Sequence, residues 1–159
     1  MKRNILFITI SLVAIAILSN SCKVTQSETG SDIDEALKAI AESNDIYFQS
    51  FAKNDPSIFI DRYAPDCCIM PPNSPAICGA DAPLAFFKLA YNKFGLRNGK
   101  FITTLVYGNG NGYVTEEGLW QSFNADGKLF DDGKFLVLWK KTSKGWKMYR
   151  DSFSSNRQQ

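Results

Sequence analysis

Residues 133–153 constrain the fold of this chain more than any other stretch. Two runs of aromatic and branched residues, 133–140 (GKFLVLWK) and 146–153 (WKMYRDSF), flank a short polar segment, 141–145 (KTSKG). This pattern is typical of a β-hairpin. Because the first run is apolar on both of its faces, it is expected in the interior of a sheet rather than at an edge.

The short connection predicts the register of this hairpin, with Trp139 opposite Met148 and Val137 opposite Arg150. Neighbouring strand residues point to opposite faces, so Arg150 and Asp151 can line the same pocket only if the strand has a bulge. Arg150 in the pocket would suit an anionic ligand, whereas Asp151 would suit acid–base chemistry. A cross-strand ion pair or a solvated edge is the alternative for both.

The N-terminus has the pattern of a targeting segment. Lys2 and Arg3 precede the apolar run 5–18, which is shorter than the roughly 20 residues that a membrane-spanning helix needs. A basic end, a short apolar run and small residues predict a signal peptide over residues 1–21. Cys22 then resembles the acylated cysteine of bacterial lipoproteins, with plain cleavage as the alternative. Residues 22–30 would form a polar tether to the domain at 31–159, exported to the periplasm or cell envelope.

Charge and composition exclude several function classes. Two of the 18 basic residues lie in residues 1–21, so the remaining chain carries 16 basic and 16 acidic residues and is formally neutral. This balance gives no indication of a nucleic-acid partner. The sequence contains no histidine, which excludes Ser/His/Asp triads and the commonest zinc ligand sets. We predict neither a cofactor nor a metal site.

Three cysteines follow Cys22, at positions 67, 68 and 78. One interpretation, which we favour because the strand register is not legible, treats them as small buried apolar residues. The other is a disulfide that joins Cys67 or Cys68 to Cys78 across a hairpin. Adjacent cysteines lack the usual metal-ligand spacing.

The residues before the hairpin predict three helices and further strands. Ser31 is expected to cap a first helix that reaches about Lys53. Its apolar stripe contains Ile33, Leu37, Ile40, Tyr47, Phe48 and Phe51. Asn44 interrupts the stripe, either as a satisfied amide in the core or as a polar group that faces a cavity.

A short second helix is predicted from Pro56, with Ile58, Phe59 and Tyr63 as its apolar residues, and a small hairpin follows over residues 67–78. A third helix is predicted from residues 79–81 to Gly95, with Leu84, Phe87, Ala90, Tyr91 and Phe94 facing inward. Strands at 100–107 and 112–123 then lead into the C-terminal hairpin. The glycine- and asparagine-rich segment 108–112 predicts a turn rather than a phosphate loop.

Helices followed by strands predict an α+β fold, in which a strongly curved antiparallel sheet carries three helices on its concave side. Several short motifs agree with this architecture: YAPD (63–66), MPP (70–72), Gly79, DGK (126–128), GKFLVLW (133–139), and GWKM (145–148) with Asp151. In their order and spacing they resemble the SnoaL-like branch of the nuclear transport factor 2-like superfamily, close to the calcium/calmodulin-dependent kinase association domains. The resemblance implies a cone-shaped, cystatin-like domain that often dimerises through its sheet, with a pocket between the sheet and the first helix.

The resemblance also suggests candidate chemistry. Similar ketosteroid isomerases place carboxylates at positions that correspond to Met70 or Pro71 and to Leu119, and neither position is acidic here. SnoaL-type cyclases rely on a late-strand carboxylate, for which Asp151 is the candidate. Tyr47 would match a phenol donor of the isomerases, with a core tyrosine as the alternative.

We therefore predict a secreted, lipid-anchored domain that binds a small, partly apolar molecule and forms homodimers. The predicted ligand-binding residues are Asn44, Tyr47, Tyr63, Met70, Trp120, Phe135, Val137, Trp139 and Arg150. One alternative is a cyclase- or isomerase-like proton-transfer enzyme that uses Asp151 and Tyr47. Another is a dimerising module with a vestigial pocket. Glu116 and Glu117 are interpreted as solvated or as part of a dimer contact.

Overall fold

The computed structural model describes residues 28–108 and 111–157. Its elements are α1 (Glu28–Lys53), α2 (Pro56–Ile60), β1 (Tyr63–Met70), β2 (Ile77–Cys78), α3 (Ala82–Lys88), a π-helical turn (Leu89–Lys93), β3 (Asn98–Tyr107), β4 (Tyr113–Phe123), β5 (Leu129–Thr142) and β6 (Gly145–Ser155). The predicted signal peptide, the lipidation site Cys22, most of the tether and part of the 108–112 turn lie outside the described residues.

The strands form one six-stranded sheet in the order β2-β1-β6-β5-β4-β3. The predicted α+β class is confirmed, and β5 lies in the sheet interior between β4 and β6, as expected from its apolar faces. One pair differs from the prediction, because β1 runs parallel to β6. The small β1–β2 hairpin and helix α3 precede the meander in the chain. In the sheet, β1 lies beside β6, the last strand, rather than beside β3.

The register of the C-terminal hairpin is as predicted only up to Met148. Trp139 pairs with Met148, but the next pairs are Leu138 with Arg150 and Val137 with Asp151. Two residues of β6 therefore oppose one step of β5, which makes Tyr149 the extra residue of a β-bulge. The prediction that Val137 lies opposite Arg150 is wrong, because the bulge moves Asp151 onto the face that carries Val137 and Trp139.

Helix α1 begins at Glu28, so the predicted cap Ser31 lies inside the helix rather than at its end. Five residues of the predicted stripe are buried or partly buried, but Leu37 is exposed. Helix α2 ends at Ile60, and Tyr63 begins strand β1 instead of extending that helix. Tyr63 is buried by the sheet, where it pairs with Met148 of β6.

The third helix is shorter than predicted and ends in the π-helical turn. A π-helical turn contains more residues per turn than an α-helix and so rotates the side chains that follow it. Phe94, predicted to face inward, is 52% exposed, whereas Phe86, which was not assigned to the stripe, is buried. Stacking of Phe51 on Phe87, with ring centroids 4.8 Å apart, joins α3 to α1.

A disulfide joins Cys68 to Cys78, and Cys67 is a buried free thiol. The interpretation that treats all three cysteines as small apolar residues is therefore wrong for two of them. Cys68 and Cys78 are cross-strand partners in the β1–β2 hairpin, while Cys67 points to the opposite face. Burial raises the pKa of the Cys67 thiol to about 11, so it stays protonated.

Within residues 28–108 and 111–157, no helix is long and apolar enough to cross a membrane. The same residues contain no cluster of three acidic or cysteine side chains suited to a metal ion. The helices cover one face of the sheet, and the buried core between them is rich in aromatic residues: Tyr47, Phe48, Phe51, Phe59, Phe86 and Phe87 from the helices, with Trp120, Phe135 and Trp139 from the sheet.

Candidate functional site

Two adjacent chambers lie between the helices and the concave face of the sheet. The inner chamber has a volume of about 60 Å³, and the outer chamber has a volume of about 440 Å³. Five side chains line both: Phe86, Leu96, Trp120, Ser122 and Phe153. The two chambers are therefore adjacent, and Tyr47, Phe135 and Asp151 are among the residues that line only the inner one.

Trp120 forms the wall shared by the two chambers, and its position depends on a glycine. Its indole Nε1 donates to the carbonyl oxygen of Ser154 at 3.0 Å. A Cβ atom at Gly133 would lie 1.8 Å from the same oxygen and 2.8 Å from the indole nitrogen. No other residue type fits at position 133, so the glycine lets the indole lie across β5 and reach β6.

Asp151 is the charged group of the inner chamber. Its residue is only 6% exposed, and its Oδ2 atom accepts a hydrogen bond of 2.6 Å from the Tyr63 hydroxyl. Burial raises the pKa of Asp151 to about 6; the Tyr63 hydrogen bond opposes this effect, and the negative charge of Glu116 adds to it. Among the described residues, no group donates to the second oxygen, Oδ1. The carboxyl group thus retains a free acceptor and titrates near neutral pH.

Two tyrosines continue this hydrogen-bonded group. The hydroxyls of Tyr47 and Tyr63 lie 3.5 Å apart, a long contact that puts Tyr47 next in line after Tyr63. Burial, reinforced by the charge of Asp151, raises the pKa of both phenols well above 10. Both hydroxyls therefore remain neutral donors over the physiological pH range. The sequence paired Tyr47 with Asp151, and in the structure Tyr63 lies between them.

A second buried carboxylate lies on β4. Glu116 is fully buried and accepts three hydrogen bonds: from Thr103 Oγ1 at 2.6 Å and Asn44 Nδ2 at 2.7 Å on Oε1, and from Trp139 Nε1 at 3.0 Å on Oε2. Burial raises the pKa of Glu116, and the three donors oppose that effect. The interpretation of Glu116 as a solvated or dimer-contact residue is wrong, since it lies on the inner face of the sheet.

The structure brings only some of the predicted ligand-binding residues to the chambers. Tyr47, Trp120 and Phe135 line the inner chamber. Val137 and Trp139 share the same sheet face but are packed in the core, and Trp139 is fully buried against Glu116.

The other predicted residues lie elsewhere. Asn44 is a satisfied amide, since it donates to Glu116, and it reaches neither chamber. Tyr63 donates a hydrogen bond to Asp151 but lines neither chamber. Met70, at the end of β1, lines neither chamber. Arg150 lies on the outer face, where its guanidinium stacks 3.6 Å from the Tyr149 ring centroid and donates to the Asp66 carbonyl. Its predicted place in the pocket is contradicted by the bulge at Tyr149.

Sequence reasoning missed Ser122, Phe86 and the whole Glu116 network. Leu119, compared above with an isomerase carboxylate, is 44% exposed on the outer face, and its neighbour Trp120 is the residue that points inward. Strict alternation along β4 was the available signal: Val114, Glu116, Gly118, Trp120 and Ser122 all point to the buried face. Read from Trp120, that alternation places Glu116 inside.

The inner chamber is narrow and mostly apolar, with the Asp151 carboxyl in its wall, and the wider outer chamber is lined by apolar and charged side chains together. The inner chamber admits only a small group, such as a hydroxyl or carbonyl, next to a carboxyl that can give or take a proton. The outer chamber is large enough for an apolar body several times that size.

No family model matches the sequence, and no curated protein sequence matches it. Solved structures do match. An NTF-2 like protein of unknown function from Shewanella oneidensis MR-1 superposes with a TM-score of 0.60 and 18% identity, over 76% of this chain and 97% of that protein. A ketosteroid isomerase-like protein from Erwinia carotovora atroseptica SCRI1043 gives a TM-score of 0.61 and 20% identity, over 79% and 99% of the two chains.

A third structure, from Xanthomonas campestris, carries the name of a calcium/calmodulin dependent protein kinase II association domain. It gives a TM-score of 0.61 and 16% identity, over 78% of this chain and 88% of that protein. At these identities the similarity concerns the fold, and this fold supports many unrelated activities. The described domain therefore has the cone-shaped α+β fold of the nuclear transport factor 2-like, or cystatin-like, proteins.

Proposed function

We propose that this domain binds a small, partly apolar molecule in the two chambers, with a polar group of that molecule next to Asp151. The observation that carries the proposal is a buried carboxyl, with one oxygen that accepts no hydrogen bond from the described residues, in the wall of a mostly aromatic cavity. A ligand that donates a hydrogen bond to Oδ1 would use an acceptor that the fold leaves free.

The relative volumes support an elongated ligand with distinct ends. About 60 Å³ at the inner end accommodates one polar substituent, and about 440 Å³ at the outer end accommodates the apolar body. Lining by Phe86, Trp120 and Phe153 across both chambers favours a flat or cyclic body, because aromatic faces stack on such groups.

The test is native mass spectrometry of the purified full chain, followed by small-molecule analysis of what co-purifies. We expect an apolar compound with at least one hydroxyl or amine group. Trp120→Ala should remove it, because that change deletes the shared wall, whereas Trp146→Phe, in the core outside both chambers, should retain it. Retention by Trp120→Ala at wild-type stoichiometry would contradict binding in the chambers.

Proton transfer is a second candidate function, favoured by the pKa of Asp151 near 6 beside two neutral phenols. As a base, the Asp151 carboxylate would remove a proton next to a carbonyl group, and Tyr47, which lines the inner chamber, would donate to the oxygen that gains charge. The ketosteroid isomerase-like neighbour makes this chemistry worth testing but does not assign it.

The two functions differ in their dependence on Asp151. An enzyme should exchange the α-proton of a bound carbonyl compound for deuterium, with a rate that rises through pH 6 as Asp151 loses its proton. Asp151→Asn should abolish that exchange, and Tyr47→Phe should slow it. Binding of equal affinity in wild type and Asp151→Asn, with no exchange in either, would leave the binding function and reject the enzyme.

We also propose that a second copy of the chain covers the outer face of the sheet. Ile102, Leu105, Leu119 and Leu136 are 41–51% exposed there. Two of them flank a groove that also contains Glu117 and Lys134, so charges of both signs are available for a self-complementary contact. Leu136→Glu should convert a dimer to a monomer in sedimentation analysis, and Leu37→Glu, an equally exposed change on α1, should not. A wild-type chain that sediments as a monomer at high concentration would reject this contact.

The sequence also supports a proposal about location, namely that Cys22 is acylated and tethers the domain to a membrane. Its support is the basic end, the apolar run and the small residues before Cys22. Cys22→Ala should move the protein from the membrane fraction to the soluble fraction, with Cys67→Ala as the matched control. An unchanged membrane fraction for Cys22→Ala would reject lipidation.

A further inference from the structure

The outer chamber carries two basic side chains among its mostly apolar lining residues. Lys93, from the π-helical turn, and Arg157, after β6, both line it and are both exposed. Within residues 28–108 and 111–157, neither side chain forms an ion pair, although five ion pairs occur elsewhere. These two charges are therefore available at the entrance.

One acidic residue, Asp131, also lines the outer chamber. Its Oδ1 atom accepts a hydrogen bond of 2.8 Å from Ser155 Oγ and another of 2.8 Å from the backbone N–H of Asp132. These bonds hold the carboxylate against the wall at the base of β5. The charged lining groups are thus two free cations and one carboxylate already engaged by the protein, which leaves the entrance positive.

An exposed aromatic ring lies beside one of these cations. Phe94 lines the outer chamber with 52% of its surface exposed, and Lys93 Nζ is 5.9 Å from its ring centroid. An exposed aromatic residue at the rim of a cavity offers apolar area to a ligand. The entrance therefore presents apolar and cationic groups together.

We propose that the outer chamber takes a molecule with an apolar body and one anionic group, whose anionic group lies beside Lys93 and Arg157 while the body packs against Phe94 and Phe153. This inference rests on the proposed binding function and specifies the chemical class of its ligand. Such a molecule has its polar substituent at Asp151 and its anion at the opposite end, because a negative group next to the Asp151 carboxylate would be repelled.

Two fluorescent probes test the inference because they share a ring system and differ in charge. The first, 8-anilinonaphthalene-1-sulfonate, is anionic, and the second, N-phenyl-1-naphthylamine, lacks the sulfonate. We expect the purified full chain to bind the anionic probe more tightly, and we expect added salt to weaken only that binding. All variants carry the same N-terminal segment, so its contribution to probe fluorescence cancels between them.

Three substitutions assign the contacts. Lys93→Met and Arg157→Met should each lower the affinity for the anionic probe by about two- to five-fold, the range of a solvent-exposed charge pair. Neither change should alter the affinity for the neutral probe. Phe94→Ala should lower the affinity for both probes. Lys88→Met, an exposed lysine of α3 outside the chamber lining, is the matched control and should change neither.

The outcomes separate this inference from the function on which it rests. Equal affinity for the two probes, both weakened by Phe94→Ala but not by Lys93→Met or Arg157→Met, would overturn the anionic ligand and retain the binding chambers. Probe binding that none of the three substitutions affects, or no probe binding at all, would overturn both the anionic ligand and the binding function on which it rests. Competition by decanoate and by decyl phosphate, with decanol as the neutral reference, then tells a carboxylate ligand from a phosphate ligand.

Discussion

Asp151 and Glu116 are both buried carboxylates on the inner face of the same sheet, but they differ in the number of hydrogen bonds they accept and in their access to a chamber. Glu116 accepts hydrogen bonds from Asn44, Thr103 and Trp139 and lines neither chamber. Asp151 accepts one, from Tyr63, and faces the inner chamber. The first carboxylate ties helix α1 and strands β3 and β5 together, whereas the second keeps an oxygen available to a ligand. Burial is common to both carboxylates, and only Asp151 combines it with an acceptor that faces a cavity, which is why we propose Asp151 rather than Glu116 as the group that contacts a ligand.

Removal of Glu116 should give the largest effect. Glu116→Ala leaves the buried indole N–H of Trp139 without an acceptor, removes an acceptor from Asn44 and Thr103 and creates a small cavity, so we expect the free energy of unfolding to fall by about 3–5 kcal/mol. Urea denaturation measures this change. Glu42→Ala, an exposed change on α1, should stay within about 0.5 kcal/mol of wild type. A loss no greater for Glu116→Ala than for Glu42→Ala would mean that the network contributes nothing.

Neutralisation of Asp151 should stabilise the protein, in contrast to Glu116. The folded pKa of about 6 lies above the value of about 3.9 in an unfolded chain. The folded state therefore binds more protons between these values, so stability falls as pH rises through that window and is level above pH 6. Asp151→Asn removes this loss, and we expect a gain of about 2 kcal/mol at pH 8 that disappears near pH 4.

Denaturation of Asp151→Asn at the two pH values checks this prediction, and Asp81→Asn, at an exposed position before α3, is the control. A variant less stable than wild type at pH 8 would show that the carboxylate contributes to the fold as Glu116 does, and the contrast between the two residues would be lost.

The single donor of Asp151 gives a smaller and opposite test. The Tyr63 hydrogen bond lowers the pKa of Asp151, so Tyr63→Phe should move the titration of that carboxyl to higher pH. Carbon-13 NMR of the Asp151 carboxyl measures the midpoint. Tyr47→Phe, which removes the more distant phenol, should change it less. A midpoint unaltered by Tyr63→Phe would argue that burial alone determines the proton affinity of Asp151.

The coupling between the two carboxylates should be the smallest effect. The charge of Glu116 raises the pKa of Asp151, as the last of its three causes. Glu116→Gln should therefore lower the Asp151 midpoint in the same NMR titration, by less than Tyr63→Phe raises it. A rise instead would mean that the substitution alters the packing around Asp151.

Much of the framework could be predicted from residue patterns. The apolar runs that flank residues 141–145 predict the last hairpin and its interior position, and helical spacing predicts Tyr47, Phe48 and Phe51 as buried. The sequence also named Asp151 and Tyr47 as one candidate pair. These features depend on local periodicity, which can be recognised in a single sequence.

The remaining features depend on contacts or backbone geometry that the residue pattern does not specify. The Cys68–Cys78 pairing requires the strand register, and the burial of Glu116 requires Asn44, which is 72 residues earlier in the chain. The exposure of Phe94 depends on the π-helical turn before it. Of these, only the Glu116 contact joins residues far apart in the chain, and the other two depend on strand register and on helical hydrogen bonding.

The sequence by itself determined the C-terminal hairpin and which residues are apolar enough to form the core. Only the tertiary structure decided which of Arg150 and Asp151 faces the chambers. Side chains alternate along a strand with a period of two, so one extra residue reverses every later position. The bulge at Tyr149 is such an extra residue, and it carries the carboxylate inward and the guanidinium outward.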